Sequence, residues 1–194
     1  MATSDLAGIL ALQGDYFAHG RVLQKLGRRF IYVRTAEDLK HVDSLIIPGG
    51  ESTTMRKLAK EDGLWDELKK FDRPILGTCA GIILLAKEII NPSEEGLGLL
   101  DVTIERNAYG SQIDSFVAVG QLIPQNKYVD LVFIRAPKIS RTGAGVEIIA
   151  KHRDETVGVK QGKLIGLTFH PELTSDTSII RLYLSIIENA PKTP

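Results

Sequence analysis

Gly77-Thr78-Cys79-Ala80-Gly81 holds the single cysteine of the chain, between a strand-like apolar run and a helix-like one. It is the cysteine form of the G-x-S-x-G turn, in which flanking glycines permit a sharp strand-to-helix bend that exposes the nucleophile above a parallel sheet. At a helix start the thiol is expected to favour thiolate, and the amide of Ala80 would face a developing oxyanion. A lone cysteine is otherwise an ordinary buried residue. The strand, the glycines and the helix together point to a nucleophile.

A nucleophilic cysteine needs a base, and the base needs an orienting acceptor. His170-Pro171-Glu172 follows the strand-like Leu164–Phe169. Pro171 stiffens the turn, so Glu172 can hold one nitrogen of His170 while the other faces Cys79. Taken alone, the tripeptide reads as a surface histidine beside a helix-capping glutamate; the elbow supplies the partner that selects acid–base work. The other histidines lack such context: His19 falls in a helix, His41 beside acidic residues, His152 in a charged hairpin.

Pro48-Gly49-Gly50-Glu51-Ser52-Thr53-Thr54 lies between a strand and a helix. The backbone at Gly49 and Gly50 can turn an N–H toward an anion, a second oxyanion donor. It also reads as a glycine-rich βα turn with Ser52 as helix N-cap. The phosphate-loop spacing is absent. Arg106 and Arg135 each stand at a strand end, placed to fork a carboxylate or to be solvated.

These groups need a frame. Strand-like runs at Leu6–Leu12, Arg29–Val33, Ser44–Pro48 and Pro74–Thr78 alternate with helical stretches. One helix begins after Asp15 and carries Phe17, Val22, Leu23 and Leu26 toward a core, one spans about 52–70, and one starts near Gly81. That alternation predicts parallel βαβ units. The second half holds short β-branched runs, with Lys160-Gln-Gly-Lys163 as a turn, and predicts antiparallel hairpins added to the core. A last helix is expected over about 175–188. With 194 residues the chain fits one domain, residues 1–194, able to bury about 70% of its unfolded surface. Lys+Arg and Asp+Glu each number 24, so the formal net charge is zero, which argues against nucleic acid or an anionic membrane held by bulk electrostatics. One cysteine excludes an intrachain disulfide and a cysteine-based metal cluster, and no metal or cofactor is indicated. The N-terminus lacks the pattern of a signal peptide and no apolar run nears the ~20 residues of a membrane helix, so a cytoplasmic location is expected.

Over nearly its whole length the sequence resembles the class I, triad-type glutamine amidotransferases, and more narrowly the glutaminase subunits of pyridoxal 5′-phosphate synthase. The resemblance rests on Leu10-Ala-Leu-Gln-Gly14, Pro48-Gly-Gly-Glu-Ser-Thr-Thr-Met55, Gly77-Thr-Cys-Ala-Gly81, Glu105-Arg-Asn107, Phe133-Ile-Arg-Ala-Pro137 and Phe169-His-Pro-Glu-Leu-Thr174. Three departures stand out: Ile83 where many relatives carry Gln after the elbow, Ser111 where Arg is frequent, and Ala18 where Glu is frequent. The resemblance implies a three-layer, flavodoxin-like α/β fold, with a mostly parallel central sheet and antiparallel additions. It implies Cys79 as nucleophile, His170 as acid/base and Glu172 as its orienting partner. Gly50, Glu51, Ser52, Arg106, Ile134 and Arg135 would line a glutamine site, and amides at Gly49, Gly50 and Ala80 would form the oxyanion hole. Activity would fall in the hydrolase and lyase classes, with ammonia passed to a (β/α)₈-barrel synthase in a twelve-plus-twelve assembly. Other readings stay open from the residues: a related cysteine hydrolase, an amidotransferase of another pathway, or a binding module without turnover. In the peptidase-like branch His usually follows the nucleophile directly, and Ala80 stands there.

Overall fold

A computed structural model describes residues 5–106 and 115–189. The first half alternates: β1 (Ala7–Leu10), α1 (Tyr16–Lys25), β2 (Phe30–Val33), α2 (Ala36–Lys40), β3 (Ser44–Ile47), α3 (Ser52–Glu61), α4 (Leu64–Lys70), β4 (Ile75–Thr78) and α5 (Ala80–Leu85). β1, β3 and β4 are buried along their whole lengths, which is why they read as continuous apolar runs. The Asp15 side chain caps α1 by accepting from Ala18 N, and Gly27, at φ 67°, releases the chain after it.

Several local expectations are corrected. The helix expected over 52–70 is two helices, divided at Asp62 and at Gly63 with φ 70°; a left-handed glycine ends a helix readily. Leu58 is only half-buried, whereas Met55, Leu64, Trp65 and Leu68 enter the core. Ser52 is not the N-cap: Glu51 is, its carboxylate accepting from Thr53 N and Thr54 N. Phe17 is 55% exposed and packs at the surface against Tyr16 and Tyr32.

The second half runs β5 (Ala86–Ile90), β6 (Leu100–Glu105), β7 (Phe116–Leu122), β8 (Lys127–Phe133), β9 (Lys138–Thr142), β10 (Glu147–His152), β11 (Glu155–Gln161), β12 (Leu164–Leu167), a 3-10 turn at Pro171–Leu173, and α6 (Ser178–Asn189). β5 and β9 were not expected, since Lys87-Glu88 and Ser140-Arg141-Thr142 interrupt their apolar character. They flank β6 in a separate three-stranded sheet.

The main sheet has nine strands in the order β2-β1-β3-β4-β12-β11-β10-β7-β8. Its first five are mutually parallel, and the other four continue it antiparallel. With β12 as fifth strand, the parallel part has the flavodoxin-like order 2-1-3-4-5. Side chains alternate between faces: Leu45 and Ile47 join Met55, Trp65, Leu68 and Ile82 on one, and Ile46 joins Leu23, Ile180 and Tyr183 on the other. Helices α3, α4 and α5 therefore cover one face, and α1 and α6 the opposite one. Tyr183, fully buried in α6, donates its hydroxyl to Leu45 O at 3.0 Å, satisfying the polar end of a large core side chain.

Candidate active site

Strand register gathers the chemistry. β3 pairs with β4 through Ile47↔Gly77, and β4 with β12 through Thr78↔Leu167. The Pro48–Ser52 turn, Cys79 and His170 thus leave three adjacent parallel strands at one carboxyl edge, where open α/β sheets bind ligands. Cys79 N donates to Leu167 O, and His170 N to Val132 O, each at 2.8 Å.

Cys79 sits at φ 50°, ψ −104°, a conformation that costs on the order of 1–3 kcal/mol and persists only where the surroundings enforce it. The flanking glycines explain how. A Cβ on Gly81 would lie 2.1 Å from Ile47 O, and one on Gly77 would lie 2.7 Å from the Gly81 carbonyl carbon. Both positions must be bare for α5 to pack this tightly on β3 and β4. The thiol is 6% exposed and donates to Ile134 O at 3.5 Å, so Ile134 meets the site through its backbone.

The His170 ring lies against Gly49, where a Cβ would stand 2.2 Å from Cε1. Its Nδ1 is 2.7 Å from Glu172 Oε1, and its buried Nε2 has no hydrogen-bond partner, free for proton transfer. Burial disfavours the charged imidazole, but the Cys79 sulfur and the Glu172 carboxylate outweigh it and raise its pKa to about 10. Burial likewise pushes Glu172 up, and the two imidazoles, His19 and His170, more than offset that and hold it below the usual carboxylate range. At neutral pH His170 is therefore an imidazolium whose Nδ1–H donates to an ionised Glu172, beside the Cys79 sulfur.

Glu51 and Arg106 meet: Arg106 Nη2 is 3.2 Å from Glu51 Oε1, while Nη1 is 2.6 Å from Glu94 Oε1 and 3.1 Å from Thr53 Oγ1. Ser52 Oγ is buried without a hydrogen-bond partner. Gly49 O accepts from Asp15 N at 3.2 Å, so across the trans peptide the Gly50 N–H points the opposite way. Ala80 opens α5 directly after Cys79. Arg135, exposed and at φ 45°, is not joined to the Arg106 cluster by any hydrogen bond or ion pair among the described residues. Asn107 and Ser111 lie outside those residues; Ala18 is buried in α1.

One site residue escaped the sequence reading. His19 is 1% exposed, with Nε2 3.2 Å from Thr78 Oγ1 and 3.4 Å from Glu172 Oε2. Its signal was a titratable residue on the stripe Ala18, His19, Leu23, the buried face of α1.

Residues 9–190 match the SNO glutamine amidotransferase family. The chain is 46% identical, over 94% of its length and 95% of the relative's, to the pyridoxal 5′-phosphate synthase subunit PdxT of Koribacter versatilis. It is 48% identical to the subunit of that name from Pseudothermotoga lettingae, over 92% of this chain and 94% of the relative. A crystal structure of a glutamine amidotransferase superposes with a TM-score of 0.88 at 44% identity, covering 94% of this chain and 98% of that one. The lyase class expected above is corrected by the family match, since amidotransferases draw ammonia from glutamine by hydrolysis, and the groups gathered here suit displacement at an amide.

Proposed function

From the premise that this chain belongs to the SNO glutamine amidotransferase family, we propose that it hydrolyses L-glutamine to L-glutamate and ammonia on Cys79. The ammonia goes to a pyridoxal 5′-phosphate synthase subunit for vitamin B6 biosynthesis. The observation that carries this reading is the β4–β12 register, which sets the strained Cys79 turn beside a histidine already hydrogen-bonded to Glu172.

The Cys79 thiolate attacks the side-chain carbonyl carbon of glutamine, and the C=O pair moves onto oxygen. Amides at Gly50 and Ala80 receive that oxyanion, a donor type whose loss typically costs about 10²–10³ in kcat. As the tetrahedral species collapses, His170 gives its Nε2 proton to the nitrogen, the C–N bond breaks and ammonia leaves a γ-glutamyl thioester. The now neutral His170 takes a proton from water, the hydroxide adds to the thioester, and the C–S bond breaks to return thiolate, imidazolium and glutamate. Arg106 and Arg135 are assigned to the substrate's α-carboxylate, with Glu51, Ser52 and the Ile134 backbone orienting the rest.

Ammonia released to bulk water at neutral pH would mostly become ammonium, which is no nucleophile, so a partner must receive it directly. A barrel-type synthase in a twelve-plus-twelve cytoplasmic assembly fits, with docking completing the oxyanion hole. Exposed Val117, Val119 and Tyr128 on the β7–β8 hairpin border, with Leu173 and Thr174, a groove of about 480 Å³, an apolar face of the kind protein partners cover.

The test is glutamine-dependent ammonia release with and without the synthase subunit. Turnover that rises steeply on mixing supports the reading; strong turnover indifferent to the synthase keeps the chemistry and removes the partner.

A further inference from the structure

We propose that His19 is a positioning residue of this site: its Nε2–H, steadied by Thr78 Oγ1, supports Glu172 Oε2 and so fixes the carboxylate that orients His170. The inference rests on the triad reading above and extends it by one residue that hydrolysis itself does not use.

The Glu172 side chain is wholly buried. Oε1 takes the His170 N–H, but Oε2 has no hydrogen bond of ordinary geometry, and a buried acceptor left bare costs roughly 1–3 kcal/mol, more when charged. The polar group facing it is His19 Nε2 at 3.4 Å. Burial pushes His19 below its ordinary pKa despite the pull of Glu172, so the ring is neutral at pH 7 and carries one N–H. A proton on Nδ1 would turn the Nε2 lone pair toward the carboxylate and strand an N–H, because Nδ1 is buried without a partner. A proton on Nε2 lies between Thr78 Oγ1 and Glu172 Oε2 and leaves only one lone pair unmatched. Thr78 is fully buried and directly precedes Cys79. His19 thus ties the end of the nucleophile strand to the turn that carries the base.

The two amide isosteres separate a donor from a filler. In His19→Gln the side-chain nitrogen can stand where Nε2 stands; in His19→Asn it falls nearer Nδ1. Glutamine turnover by the full chain with the synthase subunit, with thermal unfolding of each variant, gives the comparison. His19→Leu and His19→Asn should lose about 10- to 100-fold in kcat, the scale of outer-shell support in other sites, with KM changed less than about twofold, and His19→Gln should recover most of the loss. If His19→Leu fails to fold, Thr78→Val, near-isosteric, should still lower kcat several-fold. Wild-type kcat in His19→Leu, equal losses in Gln and Asn, or an unaffected Thr78→Val overturns the role. Cys79→Ala is the reference: if it retains turnover, the triad reading falls and takes this one with it, whereas a silent Cys79→Ala beside a fully active His19→Leu removes His19 alone.

Discussion

Gly49→Ala tests whether the His170 ring is held by contact or merely by hydrogen bonding. The added Cβ would stand 2.2 Å from His170 Cε1 and 3.0 Å from Nδ1. Comfortable contact begins near 3.4 Å, so ring and loop must separate by about 1.2 Å, the difference 3.4 − 2.2. Neither is free to move: the ring is buried and bonded to Glu172 at 2.7 Å, and the loop is tied through Gly49 O to Asp15 N at 3.2 Å. A misplacement of about 1 Å costs roughly 10²-fold in rate, equal to about 2.7 kcal/mol of barrier, and overpacking removes about 1–3 kcal/mol of stability. Two assays separate the causes. Ammonia release with the synthase subunit reads the whole reaction, and alkylation of Cys79 by iodoacetamide reads the Cys79–His170 pair without any oxyanion hole. Both should slow. Turnover within threefold of wild type in a folded Gly49→Ala would refute the claim that this glycine fixes the ring. Slow turnover with unchanged alkylation would move the defect to the oxyanion amides.

Two further outcomes follow from the same geometry. Because Cys79 has φ 50°, Cys79→Gly should be more stable than Cys79→Ala by about 1 kcal/mol, since alanine keeps the strain that glycine escapes; urea midpoints measure this, and equal midpoints would mean the turn is unstrained. His170 is raised to about 10, so its stabilisation is complete below its unfolded pKa near 6.5 and is lost as pH climbs through 10. The stability advantage of wild type over His170→Asn should therefore shrink between pH 6.5 and 10, and a constant gap across that window would contradict the assignment.

The parts of the site that could be read in sequence were those whose cause is local. Gly77 and Gly81 announce the elbow because their bareness is a contact requirement within a few residues and one neighbouring strand. The parallel strands announced themselves through unbroken burial. What escaped was decided elsewhere in the chain. Glu51 rather than Ser52 caps α3 while its carboxylate also meets Arg106, which reaches it from the end of β6. Polar and charged residues within β5 and β9 hid strands that exist because β6 pairs with both. His19 looked like one more helical histidine, since its partners, Thr78 and Glu172, belong to distant segments.

The adjacency of β4 and β12 also has a temporal side. Ribosomes add residues at about 5–20 per second, so the roughly ninety residues between Cys79 and His170 take on the order of 5–20 s to make. All through that interval the thiol exists without His170, because the slot beside β4 can be filled only after every antiparallel strand of the second half has been made. Cys79 and His170 are neighbours in space and strangers in time. The Cys79–His170 pair comes into being only once β12 and the turn after it are made, when the rest of the sheet is already available to enclose it.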